Sequence, residues 1–93
     1  MIIALDYDDT YTRDPDTWNA IARILHIAGH IVIGVTMRHP AEASGMHSSY
    51  DEAVDRIYFT GRKAKQAFMR DLGVLVDVWI DDRPDFILRD ALS

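Results

Sequence analysis

Three stretches of the chain end in side chains suited to gripping a cation or a phosphate. Asp6, Asp8 and Asp9 follow the apolar run Met1 to Leu5, Thr36 follows Ile31 to Val35, and Asp81 and Asp82 follow Val76 to Ile80. Acids packed this densely repel one another unless something positive lies among them, and a hard divalent cation with oxygen ligands relieves that repulsion. The chain has no Cys and no His placed to favour zinc, so Mg²⁺ is the expected ion. It would sit between Asp6 and Asp81, with Asp82 ligating through water. Thr36 would hydrogen-bond a phosphate oxygen, and Lys65 would neutralise the anion from the other side. Such a set suits phosphoryl transfer. One carboxylate attacks in line, and a second, two residues on, protonates the leaving oxygen and later activates water.

These groups meet only if the elements carrying them share an edge. Met1 to Leu5 is too short for a helix and rich in β-branched residues, so it reads as a buried strand. Alternation would turn Asp6 and Asp8 one way and Tyr7 the other while the chain stays extended, making Tyr7 a packing residue. Tyr11 to Arg13 is a short irregular link. Asp14 caps a helix opened by Pro15, with Trp18, Ile21, Ala22, Leu25 and Ala28 along one stripe and Gly29 as its stop. Ile31 to Thr36 is the second strand. Met37 to Ser49 reads as loop, with at most one helical turn around Pro40 to Ser44. A short helix is expected from Ser49 or Tyr50 to Asp55, and a third strand over Ile57 to Thr60. Arg62 to Leu72 reads as a helix stopped by Gly73, with Lys65 on the face of Phe68 and Met69. Val76 to Ile80 is the fourth strand, and Pro84 opens a last helix to about Leu88 or Asp90. Strands alternating with helices predict a parallel sheet with right-handed crossovers. The expected fold is a single α/β domain over residues 1–93, Rossmann-like and three-layered, with strand order 3-2-1-4.

Composition narrows the classes. With 93 residues and 48% apolar content the chain is sized for one small globular domain. Ten basic against 15 acidic residues give a net charge of −5 and no basic stripe, which argues against passive binding of duplex nucleic acid. No apolar run is long enough to span a bilayer and no leader pattern opens the chain, so a soluble cytoplasmic protein with no membrane partner is expected.

The motifs resemble those of the haloacid dehalogenase superfamily of phosphohydrolases. Asp6-Tyr7-Asp8-Asp9-Thr10 after an apolar strand looks like its first motif and Thr36 like its second. A Lys on the penultimate helix, then Ile80-Asp81-Asp82, look like the third and fourth. The resemblance covers nearly the whole chain, in order, and extends to small members encoded by bacteriophages and bacteria. It implies a phosphatase with Asp6 as the nucleophile forming an aspartyl-phosphate. Asp8 would be the general acid and base, its main-chain carbonyl also on Mg²⁺. Thr36 would bind phosphate, Asp81 the metal, and Asp82 would support it; Thr10 fits the family's small hydroxyl position. The family's Lys would be Lys65 or Lys63, with Lys65 preferred for its inward phase. The few residues between Thr10 and the first helix leave no room for a cap domain, nor does Met37 to Ser49. The resemblance therefore implies a capless member with an open site, acting on accessible or macromolecular phosphates or closed by a homodimer.

Two other readings stay open. A receiver-like module accepts a phosphoryl group as a signal with similar side chains, but places its phosphorylated acid on the middle strand and its Lys last. A non-catalytic relic of the fold would keep the acids without turnover. Arg38 and Arg62 are candidates to meet a substrate anion, as are His39 and His47 on the loop, while Trp18 and Trp79 read as core.

Overall fold

In the computed structural model, which describes residues 1–92, the first strand of the chain becomes an interior strand of the sheet. Ile2–Leu5 (β1) pairs in parallel with Ile31–Thr36 (β2) on one side and Val78–Ile80 (β4) on the other. Ile57–Phe59 (β3) pairs in parallel with the outer side of β2, completing the order β3-β2-β1-β4. The parallel sheet, its order and the α/β class agree with the sequence expectation.

Burial on both faces explains why these runs lack polar alternation. Leu5 and Val32 face one cluster with Tyr7, Tyr11, Ala22 and Tyr50, while Ala4, Ile33 and Val35 face another built on Met69. Each fully buried large apolar side chain contributes roughly 1.5–3 kcal/mol. Pro15–Ile27 (α1) and Ser48–Ala53 (α2) cover the first face. Lys65–Asp71 (α3) covers the second and packs on Asp85–Leu88 (α4). No described helix is long and apolar enough to cross a membrane.

Local chemistry sets the ends of the elements. Asp14 caps α1 by accepting the Thr17 N–H at 3.3 Å and the Thr17 hydroxyl at 2.6 Å. Gly29, at φ 86°, supplies the left-handed residue that stops the helix. Gly34 is required for a different reason: a Cβ there would lie 2.8 Å from Cζ of Tyr50, whose ring crosses β2 to donate its hydroxyl to the Leu5 carbonyl at 2.6 Å.

Several boundaries shift. α3 starts at Lys65 rather than Arg62, because Thr60 and Lys63 close a turn and Arg62 takes a left-handed φ of 73°. β4 starts at Val78 rather than Val76; Val74 and Val76 instead pack beneath the sheet against the Met69 cluster. β3 ends at Phe59, and α2 runs from Ser48 to Ala53. Tyr11–Arg13 and Pro40–Gly45 form 3₁₀ turns, the second longer than the single turn expected. Trp18 and Trp79 are half-buried at the margins of the two clusters.

Candidate functional site

Sheet register brings the acids together. Leu5 is level with Ile80 on one neighbour and Gly34 on the other, so Asp6 and Asp81 each follow one residue later at the same edge. The Asp6 N–H donates to the Ile80 carbonyl at 2.9 Å, which carries the ladder one step beyond β1. The chain then turns. Tyr11 N–H reaches back to the Asp6 carbonyl, and Asp9 takes a φ of 62°. Tyr7 points into the opposite layer, its ring 4.8 Å from that of Tyr50 and 5.9 Å from that of Tyr11.

The inward phase of α3 delivers Lys65 to this edge. Its ammonium donates to Asp6 Oδ1 at 2.8 Å and to Asp81 Oδ2 at 2.6 Å, and the side chain is 3% exposed. Lys63 is exposed and lies outside the cleft. Thr10 ties in the third acid. Its Oγ1 accepts the Asp82 N–H at 3.1 Å and stands 3.1 Å from Asp6 Oδ2 and 3.0 Å from Asp82 Oδ1. A hydroxyl has one hydrogen, so Thr10 can donate to only one of these carboxylates at a time. Asp81 Oδ1 accepts the Arg83 N–H at 3.0 Å.

Asp6, Asp81 and Asp82 each offer an oxygen within 4.8 Å of the others. Set against one ammonium, three carboxylates leave an excess of negative charge. Burial pushes the Asp6 carboxyl up from 3.8 to about 7, against the lowering pull of Lys65, and Asp81 adds to the rise. An all-oxygen donor set with surplus negative charge fits a hard cation such as Mg²⁺. Each bonded carboxylate oxygen keeps a second lone pair for it.

Asp8 lies apart from this trio. Both of its oxygens accept from Arg38, at 2.9 Å from Nε and 2.8 Å from Nη2. The remaining Arg38 donor, Nη1, is held by the Glu42 carbonyl at 2.9 Å, and its guanidinium lies 5.2 Å from the centre of the Tyr7 ring. Arg62 completes the wall, donating to the Met37 carbonyl at 2.6 Å and to Glu42 Oε2 at 3.1 Å. The Glu42 carboxyl, hydrogen-bonded by the His39 N–H and paired with Arg62, is held below the usual carboxylate range.

A cleft of about 500 Å³ opens over these groups. Asp6, Asp8, Thr36, Lys65, Asp81 and Asp82 all line it, as do Arg38 and Arg62. Thr36 is buried and its Oγ1 accepts the Arg38 N–H at 3.3 Å. His39 and His47 do not line the cleft. The His39 ring lies beside Gly61, and the His47 N–H donates to the Tyr7 hydroxyl at 2.7 Å. The sequence reading did not foresee the Asp8–Arg38 fork, Glu42 or Phe86 on the cleft wall. The one available signal was an Arg two residues beyond Thr36, at the same sheet edge.

No protein-family model, curated protein or solved structure matches the chain.

Proposed function

We propose that the cleft hydrolyses phosphate monoesters through an aspartyl-phosphate on Asp6, with Mg²⁺ bound. The observation that carries this reading is the Lys65 ammonium, which bridges Asp6 and Asp81 at 2.8 and 2.6 Å beside a third carboxylate. A buried acid paired with a fixed cation at the carboxyl edge of a parallel sheet is a preorganised setting for an anionic substrate. The resemblance of the sequence motifs to those of the haloacid dehalogenase superfamily supports the same reading.

Asp6, Asp81 and Asp82 would hold the metal through carboxylate oxygens, with the main-chain carbonyl of Asp8 as a further ligand implied by the resemblance. Bound there, Mg²⁺ would neutralise phosphoryl charge and hold the ester in line for attack. An ionised Asp6 oxygen attacks phosphorus while the ester P–O bond breaks. Asp8 protonates the departing oxygen. In the second half, Asp8 takes a proton from water as that water attacks phosphorus, which releases phosphate and restores Asp6. Lys65 and Thr36 stabilise the equatorial oxygens. The open cleft suits an accessible phosphate on a large substrate.

The test is Mg²⁺-dependent release of phosphate from an aryl phosphate, followed by a panel of phosphate esters. Multiple turnovers in the wild type and none in Asp6→Asn are expected. A single phosphoryl transfer without turnover would favour a receiver-like module, and unchanged turnover in Asp6→Asn would overturn the assignment.

A further inference from the structure

Asp8 and Arg38 form a closed pair at the mouth of the cleft. Two parallel N–H donors reach two carboxylate oxygens at 2.9 and 2.8 Å. Both partners remain accessible, with side-chain exposures of 26% for Arg38 and 48% for Asp8. The guanidinium is anchored from behind by the Glu42 carbonyl and by its place over the Tyr7 ring. Only its Nε–Nη2 edge is spent on Asp8. That same edge, planar and two-pronged, matches two oxygens of a phosphoryl group as well as it matches a carboxylate. Arg38 lines the cleft together with Asp6, Thr36 and Lys65.

We propose that Arg38 exchanges partners: it holds the Asp8 carboxylate in the resting site and gives its fork to the phosphoryl oxygens when substrate enters, leaving the exposed Asp8 free to take a proton from solvent and deliver it to the leaving oxygen. This rests on the phosphotransfer reading and adds a substrate-binding residue to it. With the guanidinium held at the rear by the Glu42 carbonyl, the exchange consists of Asp8 turning away and a phosphoryl group taking its place on the fork. Asp8 and the phosphoryl group are then competitors for one cation. That competition has a signature of opposite sign at the two residues: removing Arg38 weakens anion binding, whereas neutralising Asp8 strengthens it.

Orthovanadate binding in the presence of Mg²⁺, measured by titration calorimetry, provides the test. Arg38→Ala is expected to bind vanadate roughly ten- to a hundredfold more weakly, the worth of charge-assisted hydrogen bonds. Asp8→Asn is expected to bind it at least about tenfold more tightly, by the same conversion. In the double variant that gain should vanish, because no fork remains to be released. If Asp8→Asn tightens binding equally with and without Arg38, the gain is general electrostatics and the exchange is overturned. Unweakened vanadate binding by Arg38→Ala overturns it too, while leaving the phosphotransfer reading standing. A wild-type protein that binds no vanadate with Mg²⁺ present overturns both. Should Arg38→Ala fail to fold, Arg38→Lys, which keeps the charge and loses the fork, is read by the same criteria.

Discussion

Lys65 and Asp81 form the most enclosed ion pair described in this protein, 2.6 Å apart with both side chains 3% exposed. A charge so placed is stable only while its partner remains. Lys65→Met should therefore cost about 3–5 kcal/mol, because Asp6 and Asp81 are left facing each other without a cation. Added Mg²⁺ should recover part of the lost melting temperature. Denaturant unfolding with and without Mg²⁺ checks both statements, and a variant as stable as the wild type would contradict the first.

The same carboxylates predict a pH dependence. The Asp6 acid lies at about 7 in the folded protein against an ordinary 3.8. A raised folded value means that the native state binds the proton more tightly than the unfolded chain. Asp6 thus contributes stability that is fully present below about pH 4 and is lost as pH rises through 7. A bound cation requires the ionised form, so it offsets this loss. The rise in melting temperature with millimolar Mg²⁺ should be small at pH 5 and larger at pH 8. An equal rise at both would count against Asp6 as a ligand.

Gly34 carries a packing prediction. Tyr50 is fully buried between the rings of Tyr7 and Tyr11, so it has no room to retreat from a methyl group on β2. Gly34→Ala should destabilise by about 1–3 kcal/mol through overpacking. Thermal melts should show the loss, and the same substitution should cost much less when made in a Tyr50→Leu background, where the ring is gone.

Asp90 accepts the Ala64 N–H at 2.7 Å and so fixes the start of α3 from a distant part of the chain. Asp90→Ala should lower stability by about 1 kcal/mol, the usual worth of a lost cap, and Asp90→Asn should retain most of it. Equal stability of all three proteins would show that the contact contributes nothing.

The sheet was readable because both its faces are buried. Ile31 to Val35 is a run without polar side chains and with few alternatives, and its neighbours in the order follow from alternating strands and helices. The start of α3 was not readable. Arg62, Lys63 and Ala64 are all good helix formers, and only the turn closed by Thr60 excludes them. For the candidate site, strand ends pointed to Asp6, Thr36 and Asp81; helix phase favoured Lys65 but left Lys63 open, and Lys63 lies in the turn before α3. The Asp8 fork escaped because it depends on where a long side chain reaches, 30 residues away. Local pattern carries no information on such a reach.

The interior position of β1 also orders events during synthesis. β1 is synthesised well before β4, the strand that covers its second side, because β2 and β3 both lie between them in the chain. A nascent polypeptide that has emerged only through β3 holds Asp6 but neither Lys65 nor Asp81. Splitting the gene between β3 and α3 should accordingly yield two halves that each lack part of the constellation and that complete it only on reassembly.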